Sequence, residues 1–195
     1  MTASVPHLEL SHGQVLWCLA GGHEPSPPLP DQVRYLRQIG IPFAESEQGK
    51  GRGVRLTYGF YHFIELGIAC EALRRRVEPR YLVMLVDDRA RYRHLYREAY
   101  RELAASPALL NAAVDRSSPI FAEEFYLRLH DRYSDTPGRI VPAFEAESAT
   151  ARKFGDWVER YEGQPDRDVI AVKGLMLKLL RLARDAPVTR PGPKG

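Results

Sequence analysis

The side chains best suited to chemistry in this chain are cationic or amide-bearing, and they cluster. Gln32, Arg34, Arg37 and Gln38 fall within one short stretch whose Val33, Leu36 and Ile39 share a helical face. On a helix over 31–39 the two arginines and two glutamines lie off that apolar face, free to meet the phosphates or base edges of a duplex. Arginine can grip a guanine edge or a phosphate through paired N–H groups, and glutamine can match an adenine edge. Further on, Lys50 and Arg52 sit in Glu47-Gln-Gly-Lys-Gly-Arg-Gly53, whose alternating glycines suit a hairpin tip. So slight a tip can lie along a nucleic-acid backbone, a contact that positions without specifying sequence.

Other chemistries find less support. The glycine cluster has neither the Walker spacing nor that of a dinucleotide fingerprint, and no strong parallel strand precedes it. There is no Gly-x-Ser-x-Gly, no His-Glu-x-x-His and no Cys-His pairing with a plausible site. Glu123 and Glu124, or Asp166 and Asp168, read as exposed acids, so no catalytic residue and no cofactor is expected. His12, His23, His94 and His130 show no metal-ligand spacing. Cys18 and Cys70, the two cysteines, fall among apolar helix residues and read as small core side chains in a reducing cytosol.

The elements that must hold these residues follow from capping and periodicity. Ser11 caps a helix through Val15, Leu16 and Leu19 that Gly21-Gly22 ends. Glu24 to Pro30 carries four prolines and reads as an extended loop, after which Asp31 opens the short helix that Gly40 closes. Ile41–Phe43 and Val54–Tyr58 read as two short strands flanking the glycine tip, a β-wing over about 43–56. Phe60 to Arg76 forms a buried helix with Phe63, Ile64, Ile68 and Leu73 inward. Pro79 starts another through Tyr81, Leu82 and Leu85. Arg89 to Leu103 follows, with a stripe of Tyr92, Leu95, Tyr96, Ala99, Tyr100 and Leu103.

Helix, loop, short helix, hairpin, two helices is the order of a winged helix-turn-helix, so the fold expected is mainly α. The residues also carry a more particular likeness. Val33-Arg34-Tyr35-Leu36-Arg37-Gln38-Ile39-Gly40-Ile41 resembles the recognition-helix motif of MerR-type transcriptional regulators, and Arg55-Leu56-Thr57-Tyr58 resembles the end of that family's wing. Leu10 to Val15 is similar to the family's opening helix, and Phe63 through Leu82 follows the spacing of its third and fourth helices. The likeness covers about residues 9–105. It departs in the long proline-rich first turn, in one extra residue before Tyr58, and in Arg76, where the family often has Gly.

The resemblance implies that Arg55, Tyr58 and His62 also approach phosphates, and that a long helix joins two copies on a palindromic operator. Arg89–Leu103 is the candidate, with Tyr92, Leu95, Tyr96, Ala99 and Leu103 pairing with a second subunit or packing on residues 106–195. Tyr35 either joins the duplex contacts or packs beneath the wing, or does both. Arg74-Arg75-Arg76 reads first as a solvated helix end favoured by the helix dipole, ahead of a DNA contact.

The organisation expected is therefore a DNA-binding unit over 9–87, a connecting and dimerisation helix over 88–105, a helical C-terminal domain over 106–186, and a flexible tail over 187–195. In the C-terminal part helices are expected from Ser118 to Tyr133, from Ser148 to Tyr161 and from Asp168 to Ala183, with a short strand over Arg139–Phe144. Phe121, Phe125, Tyr126, Phe154, Trp157 and Tyr161 read as core before they read as a ligand pocket. This part is also a candidate surface for RNA polymerase or another protein.

Charge and composition fit a folded nucleic-acid binder. The 195 residues are 44% hydrophobic and 27% charged, with a formal net charge of +3. Residues 1–30 have no Lys or Arg, whereas residues 31–105 carry fourteen basic against ten acidic side chains. Met1–Leu10 has no basic or apolar signal region, and no apolar run is long enough to span a membrane. The expectation is a cytoplasmic, nucleoid-associated regulator of double-stranded DNA. The alternative is a winged module that binds protein without reading DNA.

Overall fold

A computed structural model describes residues 4–44, 47, 56–111, 123–133, 140–150 and 168–187. Helices predominate. They are α1 (His12–Leu19), α2 (Pro28–Gln38), α3 (Phe60–Arg74), α4 (Pro79–Asp87), α5 (Arg89–Ala104), α6 (Pro107–Asn111) and α7 (Val172–Asp185), with strands β1 (Glu123–Tyr133), β2 (Ile140–Thr150) and β3 (Asp168–Ala171) between α6 and α7.

The first two helices owe their limits to local chemistry. The Ser11 hydroxyl accepts from the Gln14 amide at 3.3 Å and the Gln14 side chain accepts from the Ser11 amide at 3.0 Å, so α1 opens on a full capping box. It closes at Gly21, whose φ of 76° is open to glycine at little cost, with Gly22 N–H donating to Trp17 at 3.0 Å. Helix α2 begins three residues earlier than expected. Pro28 and Pro30 lie in its first turn, where the missing N–H is no loss and the fixed φ already suits a helix. At its far end Gly40 has φ 90°, and Ile41 N–H donates to Leu36 at 2.9 Å. The buried Ile41 thus spends its amide closing α2, so 41–43 forms no strand. Tyr58 instead makes an isolated antiparallel bridge with Leu10, at 2.9 and 3.1 Å.

Helix α3 is the axis of the core. Phe63, Ile64, Leu66, Ile68, Ala69 and Cys70 are all buried on it. Its C-terminal turn closes as the first two helices do, with Val77 N–H donating to Ala72 at 3.0 Å, but the residue at positive φ is Arg76, at 62°. Helix α7 lies against α1, α3, α5 and α6. Its Leu179 side chain sits so near Gly67 that a Cβ there would clash with it. Lys173 on α7 donates to Glu102 on α5 at 2.8 Å, and Arg181 donates to the Leu109 carbonyl at 2.9 Å. One hydrophobic core therefore runs from Leu10 to Leu182, across the boundary expected near residue 105.

The C-terminal region departs furthest from expectation. Residues 123–133, expected as helix, form the central strand of an antiparallel sheet ordered β2-β1-β3. The register sets Glu123 opposite Thr150 and Tyr133 opposite Ile140, and on the other side Tyr126 opposite Ala171. Phe125 and Leu129 fit a helical period, but Phe125, Leu127 and Leu129 also alternate, and pairing on both sides favours the extended form. Leu127 is buried. Ser148 continues β2 instead of capping a helix. Asp168–Ala171, with β-branched Val169 and Ile170, is strand before α7 begins. Phe121, Phe154, Trp157 and Tyr161 lie outside the described residues.

Candidate nucleic-acid interface

Helix α2 is anchored by Leu29, Val33 and Leu36, all buried, which turns Asp31, Arg34, Tyr35 and Gln38 outward. Gln32 and Arg37 are half-buried at the edges of that face. Arg34 lies in the open, paired with Asp31 one turn back at 2.7 Å, an exposed pair that a phosphate or base edge can replace at small cost. Tyr35 is 39% exposed. A helix with its side chains is about 10 to 12 Å across, and a major groove is about 12 Å wide.

Arg37 faces inward toward a small polar cluster. His12 Nδ1 lies 3.0 Å from the Tyr58 hydroxyl, and their rings stack. Burial, with the Arg37 charge second, lowers the His12 pKa, while burial raises that of Tyr58 against the pull of Arg37. Tyr58 is fully buried. The expected phosphate contact from Tyr58 is therefore corrected: its hydroxyl is turned into the protein and its backbone ties Leu10 down. It supports α1 from within.

His62 sits at the first turn of α3. Its Nδ1 accepts from the Gly59 amide at 3.4 Å, which leaves Nε2 pointing at Glu47 Oε1, 3.6 Å away. Glu47 Oε2 accepts from the Ala44 amide at 2.9 Å, and Arg93 Nη2 stands 3.9 Å from Oε1. Burial alone would raise the Glu47 carboxyl, but the Ala44 amide, His62 and Arg93 together hold it below its usual value. Burial lowers the His62 pKa, opposed by Glu47. Lys50, Arg52 and Arg55 lie outside the described residues.

Two groups that the sequence reading passed over join these elements. Glu65, almost wholly buried on α3, accepts from Arg89 Nε at 3.1 Å and Nη2 at 2.9 Å, and the same Nη2 donates to the Gly40 carbonyl at 2.5 Å. The end of α2 is thereby tied to α3 and α5. Burial pushes the Glu65 carboxyl up to about 7 against the pull of Arg89 and Arg93. A signal was present: Glu65 is the lone charge between Phe63 and Cys70.

The stripe expected to pair two subunits is corrected as well. Tyr92, Tyr96, Ala99 and Leu103 are buried within this chain, and Leu95 packs against the same core. Of the two alternatives for α5, packing on the C-terminal residues is the one found. At the end of α3, Arg75 pairs with Glu71 at 2.9 Å, and Arg74 donates to the Leu19 carbonyl. Cys18 and Cys70 are free and buried, and burial pushes both thiols up to about 12. Among the described residues no group of His, Cys, Asp and Glu is arranged to hold a metal ion, and no helix is long and apolar enough to cross a membrane. No family model, curated protein or solved structure matches the chain.

Proposed function

We propose that the chain is a DNA-binding transcriptional regulator of MerR-like type, with α2 entering the major groove. The observation that carries this reading is the outward face of α2, where Arg34, Tyr35 and Gln38 are presented together by a helix buried on its other side and bonded at its end to Arg89. Arg34 and Gln38 supply the donors and acceptors that base edges match, and Tyr35 supplies a flat apolar contact. The basic excess of residues 31–105 supplies the salt-sensitive attraction to the backbone. The reading includes no catalytic step, and it places the protein with the DNA in the cytoplasm. On a palindromic operator, two copies would meet through a surface other than the α5 stripe.

The test is capture of fragmented genomic DNA by the purified chain at two salt concentrations, sequenced, with Arg34→Ala alongside. A recovered motif that the variant loses, with affinity lower by about 1 to 3 kcal/mol, supports base contact by α2. No capture even at low salt sinks the reading and favours a protein-binding module.

A further inference from the structure

We propose that His62 and Arg93 form a binding site for a phosphate group, and that Glu47 occupies this site in the free chain. The site deepens the DNA-binding reading and rests on it for one source of the phosphate, a duplex backbone; a free phosphate-bearing molecule is the other.

The geometry around Glu47 is that of a poor fit. Its Oε1 stands 3.6 Å from His62 Nε2 and 3.9 Å from Arg93 Nη2, beyond the roughly 2.7 to 2.9 Å of a charge-assisted hydrogen bond. The carboxylate cannot close on both, because its other oxygen is held by the Ala44 amide at 2.9 Å. Arg93 bears the consequence. Its Nε and Nη2 are screened from solvent with no hydrogen-bond acceptor among the described residues, a state that folded proteins seldom leave without a use. The next carboxylate inward, Glu65, is already engaged by Arg89 through Nε and Nη2. Arg93 is held in place from its other side by the Tyr61 ring, whose centroid is 5.6 Å from the guanidinium carbon.

A phosphate supplies what this arrangement lacks. It is larger than a carboxylate and its oxygens diverge. Two of them can therefore accept from the Arg93 edge, or one from Arg93 and one from His62, without the tether that restrains Glu47. The exchange replaces one anion by another, so the site stays neutralised in both states. Glu47 thus acts as a stand-in that keeps the Arg93 guanidinium and the His62 Nε2 donor facing one point, and it leaves when a better-shaped anion arrives. The bond from Arg89, one turn before Arg93, to Gly40 ties this part of α5 to the end of α2, the helix that the DNA reading places in the groove.

The experiment uses the full chain, labelled so that the Arg Nε–H and His ring signals are seen by NMR, titrated with inorganic phosphate and separately with a random-sequence duplex. Both titrants are expected to move the Arg93 and His62 signals. Glu47→Gln should bind phosphate about tenfold more tightly, since a competing like charge about 4 Å away is removed. Arg93→Gln should lose the effect. Arg93 and His62 signals unmoved by either titrant, in the parent chain and in folded Glu47→Gln, overturn the proposal. A duplex that shifts Arg34 but neither Arg93 nor His62 leaves the DNA reading standing and overturns the site. Phosphate binding at Arg93 and His62 with no duplex binding anywhere upholds the site for a small phosphorylated ligand and overturns the DNA reading.

Discussion

Arg89 bonds Glu65 and the Gly40 carbonyl with one guanidinium, so a single side chain on α5 fastens both the core helix α3 and the end of α2. Glu65 has nowhere else to turn, since it is enclosed by an apolar helix. Removing its partner should cost far more than the pair adds. Arg89→Ala is expected to destabilise the fold by about 3 to 5 kcal/mol, because a buried carboxylate is left unpaired and a carbonyl loses its donor. Glu65→Gln should cost less, because the amide oxygen still accepts from Arg89. Urea denaturation of both variants checks the order, and equal losses would sink the account.

The same pair sets a pH dependence. Burial raises the folded Glu65 pKa from 4.5 to about 7, so between those values the folded chain holds a proton that the unfolded chain has released. Stability from this group is therefore full below pH 4.5 and is lost as pH rises through about 7, a swing on the order of 3 kcal/mol. His12 and His62 work the other way, because their folded pKa values are lowered and their contribution is lost on acidification. The parent minus Glu65→Gln difference in unfolding free energy isolates the carboxyl. It should shift against the parent between pH 5 and pH 8, and a flat difference would contradict the assignment.

Arg76 occupies a conformation that suits glycine. At φ 62° it closes α3, where Gly21 and Gly40 close α1 and α2 with the same bonding pattern. The strained arginine side chain gains nothing evident there. Arg76→Gly is expected to raise stability by about 1 kcal/mol, the αL strain of a non-glycine residue less the added entropy of an unfolded glycine. Thermal unfolding measures it. Arg76→Ala, which keeps the strain, should show no gain.

How far this could be read from the sequence depends on how local the signal was. The Ser11 cap, the Gly21 and Gly40 stops and the Pro79 start all act within one turn, and the first five helices were legible from such signals, although α2 begins inside the proline stretch expected as loop. The outward Arg34 and Gln38 of α2 were legible too, because Val33 and Leu36 leave them one direction to face, whereas Arg37 turns inward toward His12 and Tyr58. The sheet was not: Phe125 and Leu129 satisfy both periods, and the choice was made by strands at 140–150 and 168–171, remote in sequence. The pairing of Glu65 with Arg89 was likewise out of reach, since nothing local says which arginine meets a buried acid 24 residues away. Tyr58 misled for a related reason, because a tyrosine after an arginine carries no mark of whether its ring turns in or out.

Tyr96 separates the internal role of the α5 stripe from the subunit-pairing role. It is fully buried in its own chain, and its hydroxyl is enclosed with no hydrogen-bond partner, while burial drives its pKa well above the usual value. An enclosed hydroxyl without a partner pays desolvation for nothing, so Tyr96→Phe should be neutral or stabilising by up to about 1 kcal/mol. Tyr96→Ala removes the whole ring from a packed core and should cost about 3 to 5 kcal/mol. Neither change should alter the assembly state of the folded chain in sedimentation equilibrium, since the ring is enclosed within its own chain. If Tyr96→Phe instead dissociated a dimer while the folded content by circular dichroism stayed constant, α5 would face another subunit after all. The packing of α5 on α7 would then be wrong.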